Sequence, residues 1–187
     1  SQAHLWTPSC PRAGTFGRRQ DRVQSHTMPS GGKQIYVAGP LFNEGERWWI
    51  EERVCATVES CGFTTFLPHR DNPPKTKDNT RVIYENDRGA IDECIAVVAD
   101  FNGVTTDDGT AWEVGYACGL GKPVVGIFTD WRGRFPNECE VVNLMLQFSV
   151  TKLVRSLDDL PAALAEAVAS AGPRGLSEPE AGGTCAA

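Results

Sequence analysis

The chain has 187 residues, 41% hydrophobic and 22% charged, with a net charge of −6. That composition fits one globular domain with a sizeable core and argues against a disordered chain. Residues 1–33 hold Arg12, Arg18, Arg19, Arg22 and Lys33 against Asp21, a balance of +4, so the rest of the chain carries −10 to give the net −6. An acidic body repels phosphate backbones, so no nucleic-acid polymer is expected as a partner.

Residues 1–33 are rich in Ser, Gly, Pro and Arg and have no hydrophobic period. They read as a flexible tail, tag or upstream sequence with Met28 a candidate natural start, or alternatively a basic targeting peptide. Gln34 to Ala38 is a short β-rich run that ends at Gly39-Pro40, a first strand and turn. Asn43 followed by Glu46 is a capping-box start, and Ile50, Val54, Val58 and Cys61 recur at helical spacing up to Gly62. Phe63 to Leu67 is a second strand, ended by Pro68, and residues 69–77 are expected to be a polar loop.

A second long helix is expected over Asp78 to Glu93, followed by an unbroken apolar strand, Ile95 to Ala99. A loop through Gly103 leads to a helix over Thr110 to Leu120, stopped by Gly121. Pro123 to Phe128 is a fourth strand, residues 129–140 an irregular loop, and Val141 to Gln147 a short helix. Phe148 to Val154 is a fifth strand, and Ser156 to Ala171 an amphipathic helix closed by Gly172-Pro173, with a mobile tail over 173–187. The domain therefore spans 34–172. Strands alternating with helices imply an α/β fold, a doubly wound parallel sheet with helices on both faces, whose ligands bind beyond the carboxyl ends of the strands.

Seven cysteines, none in a C-x-x-C pair, and three scattered histidines give no metal-binding pattern. Most of the cysteines sit in apolar stretches and read as reduced thiols of a cytoplasmic protein. No apolar run approaches membrane-spanning length. A G-x-G-x-x-G after the first strand and a phosphate loop ending in Gly-Lys-Ser/Thr are both missing, so neither a dinucleotide nor a triphosphate cofactor is expected.

Two carboxyl groups stand out. Asp87 lies four residues from both Ile83 and Ile91, within the apolar stripe of its helix. A core-facing carboxylate must be paired, with Arg81 or Arg88 at hand, or kept neutral, which suits proton donation. Glu113 lies in the first turns of its helix, where the dipole favours an ionised carboxylate. It either balances that dipole or serves as a nucleophile toward an oxocarbenium-like centre. Together they meet the needs of N-glycosidic cleavage: one group stabilises the sugar cation while the other protonates the departing base.

Four segments then resemble the nucleoside 2-deoxyribosyltransferase family in order and spacing. They are Ile35-Tyr36-Val37-Ala38-Gly39-Pro40-Leu41-Phe42, Asn86-Asp87, Asp107-Asp108-Gly109-Thr110-Ala111-Trp112-Glu113-Val114-Gly115-Tyr116-Ala117, and Val142-Asn143-Leu144-Met145. The resemblance spans about residues 34–155. It implies a flavodoxin-like five-stranded sheet and a homo-oligomer built from dimers. It also implies transfer of 2-deoxyribose between free nucleobases and nucleosides without a metal or organic cofactor. It assigns Glu113 as the nucleophile, Asp87 as the acid beside the base, and Tyr36 as the tyrosine beside sugar and nucleophile. Phe42 lines the base, with Gly39 near it; Asp107 holds sugar hydroxyls, with Gly109 in the same loop. Asn143 reaches the 5′-hydroxyl in the neighbouring subunit's site, with Met145 beside it.

Related nucleotide N-glycosidases typically carry a serine where Asp107 stands, since a second anion there repels a 5′-phosphate. The loop Pro68-His69-Arg70-Asp71-Asn72 departs from the transferase pattern and is closer to those hydrolases. His69, Arg70 and Asp71 are accordingly expected near the base, and Arg70 pairs with Asp71, with an external phosphate, or with nothing. A hydrolase of nucleoside 5′-monophosphates and a non-catalytic nucleotide-binding module are the alternative functions.

Overall fold

The computed structural model describes residues 33–130 and 142–171. The expected tails, apart from Lys33, most of the loop over 129–140 and the Gly172-Pro173 stop lie outside the described residues. Strand β1 (Gln34–Ala38) leads into α1 (Glu44–Trp48), a π-helical stretch (Trp49–Cys55) and α2 (Ala56–Ser60). Then come β2 (Thr64–Phe66), α3 (Pro68–Asp71), α4 (Thr80–Glu93), β3 (Ala96–Asp100), α5 (Asp108–Gly119) and β4 (Val124–Ile127). The described chain ends with α6 (Leu144–Ser149), β5 (Lys152–Val154), a 3-10 turn (Leu157–Asp159) and α7 (Leu160–Ala169).

The five strands form one parallel sheet in the order β2-β1-β3-β4-β5, with Tyr36 opposite Phe66 on one side and Val97 on the other. This is the flavodoxin-like order, and its direction of winding switches between β1 and β3. Side chains alternate across the sheet. Ile35, Val37, Val98, Val125 and Ile127 bury one face under Ile50, Val54 and Val58 and under Leu160 and Leu164 of α7. Tyr36, Ala38, Val97, Ala99 and Phe101 bury the other under Ala90 and Ile91 of α4, Val114 and Ala117 of α5, and Leu146 of α6. Each fully buried Val, Leu or Ile contributes about 1.5–3 kcal/mol.

The first helix starts as its sequence dictates: Glu46 N–H donates to Asn43 Oδ1 at 2.9 Å, and Asn43 N–H donates to Glu46 Oε2 at 3.2 Å. Ile50, Val54 and Val58 are buried as expected, whereas Cys61 is exposed. The helix has already ended at Ser60, and the chain turns away at Gly62 (φ +85°). Cys118 is exposed as well, while Cys55 and Cys94 are buried; the other three cysteines lie outside the described residues.

The expected polar loop after β2 starts instead with the one-turn helix α3. Pro68 occupies its first turn, where a missing N–H costs nothing, and Leu67 N–H donates to Asp71 Oδ2 at 2.7 Å. Among the described residues no helix is long and apolar enough to cross a membrane.

Candidate active site

The alternation of β1 turns Tyr36 toward α4 and α5. Its ring is fully buried and stacks on Phe66, with centroids 5.6 Å apart. Its hydroxyl donates to Glu113 Oε1 at 2.6 Å, joining residues 77 positions apart. Burial in this anionic setting pushes the Tyr36 phenol up, so it remains a donor.

Glu113 departs from the sequence expectation of an ionised helix-start carboxylate. It is the sixth residue of α5, beyond the turn where the dipole acts strongly. Burial, opposed by the Tyr36 hydrogen bond and reinforced by the charges of Asp87 and Asp107, pushes its carboxyl up to about 8. Desolvation therefore outweighs the dipole and favours the protonated carboxyl.

Asp87 sits half-buried on α4, on the same stripe as the buried Ile91. Neither expected arginine pairs with it. Arg81 is taken by Glu85 at 2.8 Å, and the Arg88 guanidinium lies 5.9 Å over the Tyr84 ring. The partner is Asn72, whose Nδ2 donates to Asp87 Oδ1 at 2.6 Å and to Pro68 O at 3.1 Å. Asn72 Oδ1 accepts from Asn86 Nδ2 at 3.1 Å, so the loop after β2 is laced to α4. Burial raises the Asp87 carboxyl, and the Asn72 hydrogen bond opposes that rise.

The sequence reading singled out the charged neighbours of Asn72 and missed Asn72 itself. A half-buried acid with no reachable arginine needs a neutral donor, and that requirement was the available signal.

Asp107 is the N-cap of α5. Its Oδ2 accepts from Thr110 N–H at 2.8 Å and from Thr110 Oγ1 at 3.0 Å, leaving Oδ1 without a donor among the described residues. Gly109 follows within the same turn, and a Cβ there would stand 3.1 Å from Asp107 Oδ2. At the end of β1, a Cβ on Gly39 would stand 2.5 Å from Ile50 Cδ1 and 3.2 Å from Asp100 Cβ. Packing alone therefore requires glycine at 39. Phe42 is 75% exposed, while its N–H is held by Glu46 Oε2 at 2.8 Å.

Asn143 caps α6, accepting from Met145 N–H at 2.9 Å, and Met145 is 70% exposed. Both are exposed, as is Phe148.

His69 is exposed on α3. Of the three outcomes open for Arg70, the structure shows the pairing with Asp71. Arg70 Nη2 donates to Asp71 Oδ2 at 3.0 Å and to Thr65 O at 2.8 Å, and Glu59 lies 3.5 Å from Nη1. Thr65 alternates with Phe66, so Arg70 reaches toward the face of the sheet opposite Tyr36. Asp71 is likewise spent on Leu67 N–H and Arg70. The structure thus gathers Tyr36, Asp87, Asp107 and Glu113 and directs Arg70 and Asp71 elsewhere. Among the described residues no three His, Cys, Asp or Glu side chains are grouped to hold a metal ion.

A family model described as nucleoside 2-deoxyribosyltransferase matches residues 35–145, a stretch holding the three acids and the tyrosine just described. Among solved structures, a 2-deoxyribosyltransferase from Bacillus psychrosaccharolyticus is 26% identical with a TM-score of 0.58, over 68% of this chain and 90% of that one. A 2-deoxyribosyltransferase from Leishmania mexicana is 28% identical with a TM-score of 0.57, over 74% of this chain and 98% of that one. A conserved protein from Enterococcus faecalis V583, 23% identical with a TM-score of 0.61, covers 73% of this chain and 99% of its own and shares the fold. The comparison with curated proteins gave no match. On the strength of the matched segment, the chain belongs to the nucleoside 2-deoxyribosyltransferase family.

Proposed function

We propose that the protein transfers 2-deoxyribose from a deoxyribonucleoside to a free nucleobase by a retaining double displacement through Glu113. The observation that carries this reading is the 2.6 Å Tyr36–Glu113 hydrogen bond beside a second acid, Asp87, close enough for its charge to act on both. Two repelling carboxyl groups in a partly dry site share one proton. With that proton on Asp87 and Glu113 ionised, each group has its task.

A Glu113 oxygen bonds to C1′ while the C1′–N bond breaks. The electron pair passes to the base nitrogen or its conjugated ring, and Asp87 supplies the proton. The product is a glycosyl ester and a free base. An incoming base then attacks C1′ from the opposite face, Asp87 takes its proton, and the ester bond returns its electrons to Glu113. Water in place of the base gives hydrolysis as a side reaction.

Tyr36 holds Glu113 in line and stabilises its anion, an effect worth about 1.5–3 kcal/mol for a hydrogen bond to a charged group. Asp107 Oδ1 is available to accept from a sugar hydroxyl. Phe42 walls the base, and His69 is exposed on α3, in the loop that Asn72 ties to Asp87. Asn143 and Met145 are exposed, and this supports a homodimer, or a larger homo-oligomer of dimers, in which they complete the partner's site.

Purified protein incubated with deoxyinosine and free adenine should form deoxyadenosine, followed by chromatography. Release of deoxyribose without transfer over a wide range of acceptor bases would refute the transferase. Turnover restricted to nucleoside 5′-monophosphates would establish the hydrolase in its place. Arg70 is occupied internally and Asp107 is anionic, and both disfavour a phosphate.

A further inference from the structure

Across the sheet from Glu113 lies a second buried carboxyl group that the proposed chemistry leaves unused. Asp100 ends the central strand β3 and is 2% exposed. Its Oδ2 accepts from Trp49 Nε1 at 2.8 Å, and its Oδ1 accepts from Asn102 N–H at 2.8 Å.

Each donor leads to a loop at the carboxyl edge of the sheet. Trp49 follows directly on α1, and α1 grips the loop after β1. Glu46 Oε2 accepts from Phe42 N–H at 2.8 Å, and Arg47 Nε donates to Leu41 O at 2.8 Å. Asn102 begins the loop that carries Asp107, and its own Oδ1 accepts from Thr129 N–H at 2.8 Å, just past β4. Gly103 N–H reaches Asp130 at 3.3 Å.

The geometry points to Asp100 as a positioning residue: by accepting from Trp49 and Asn102 together, it sets the distance between the loop bearing Phe42 and the loop bearing Asp107. The deoxyribonucleoside must fit between the base wall of one loop and the sugar-binding carboxylate of the other. The inference thus rests on the proposed function for its consequence, though not for its geometry.

The arrangement depends on an ionised Asp100. A proton on either oxygen turns an acceptor into a donor facing the indole N–H or the Asn102 N–H, and one strap is lost. Burial pushes this carboxyl up to about 6, against the pull of its two donors. The charged groups that act on it are Glu46 from α1 and Asp130 beyond β4, both acidic and both raising it. A π-helical stretch begins at Trp49, and such widened turns often mark functional positions.

The test pairs a spectroscopic and a kinetic readout on the full chain. In a 15N-labelled sample the Trp49 indole N–H, assigned by its loss in Trp49→Phe, and the Asn102 amide should titrate together with a midpoint near 6. The Phe42 and Gly103 amides should follow them. Asp100→Asn, in which one oxygen acceptor becomes an amide donor, should abolish that common titration and displace all four resonances at neutral pH. It should also raise KM for the deoxyribonucleoside about fivefold or more while kcat stays within about twofold, the mark of lost ground-state positioning. Trp49→Phe keeps the carboxylate and an aromatic ring while removing the indole N–H, and should raise KM by a smaller factor if Asp100→Asn fails to fold.

Independent titration of the indole and the Asn102 amide would overturn the inference. So would a KM unchanged in both variants when wild-type turnover is measurable. The common titration in a protein that turns over no nucleoside would leave the strap standing and refute the proposed function.

Discussion

The two faces of the sheet are built from the same strands and do different work. The face under α1, α2 and α7 is a nearly continuous apolar core, from Ile35 and Val37 to Leu160 and Leu164. Its one buried carboxylate among the described residues, Asp100, has a donor on each oxygen. The face under α4, α5 and α6 places the Tyr36 hydroxyl and the Glu113 carboxyl among Val97, Ala99 and Val114, with Asp87 and Asp107 close enough to raise Glu113. One face holds the fold and the other holds charge at a cost in stability.

The largest break in this contrast should come from Glu113→Ala. It should reduce base exchange at least about a thousandfold in a steady-state assay, since the nucleophile and its partner groups act as a unit. Its chemical unfolding midpoint should not fall by a comparable free energy. The converse substitution is Leu164→Ala on the apolar face. It should cost about 2–5 kcal/mol in urea unfolding and leave kcat per folded molecule near wild type.

Asp87→Asn should lower kcat/KM by about 10²–10⁴ and remove its alkaline limb. In the wild type that limb marks loss of the shared proton from an acid that burial raises above its ordinary value. A limb that survives in Asp87→Asn would assign the proton elsewhere.

The smallest effect is on stability. Burial raises Glu113 from an ordinary 4.5 to about 8, so the folded state binds its proton more tightly than the unfolded chain does. Native stability from this group is fully present at acid pH and is lost as pH rises through that interval. Glu113→Gln, which carries no charge, should therefore melt at a higher temperature relative to wild type above pH 8 than at pH 5. An equal gain at both pH values would mean that Glu113 is not buried as a carboxyl.

Much of this was legible before the structure. Apolar runs of strand length and helical spacing at Ile50, Val54 and Val58 reflect local rules, and so does the Asn43–Glu46 cap. Asp87 stood out because a carboxyl group within an apolar stripe is expensive and needs a reason, Glu113 because it lies near a helix start, and Tyr36 through the family resemblance. What escaped was set by long-range contact. Asn72 reaches Asp87 across 15 residues, and Trp49 reaches Asp100 across 51. The charge state of Glu113 also escaped, because a sequence shows a helix start but not how much water the fold removes from its sixth residue. For Arg70 the sequence left Asp71, a phosphate or no partner open; the packed loop selects Asp71 and adds Thr65, which no local pattern signals.

The central claim is a covalent bond between Glu113 and C1′ of the sugar. Rapid acid quench during turnover of a deoxyribonucleoside, followed by proteolysis and mass spectrometry, reads it directly. The account predicts one deoxyribosyl group on the peptide containing Glu113, discharged by added base and absent from Glu113→Ala. Continued base exchange with the sugar found on another residue, or on none at any quench time, would contradict it.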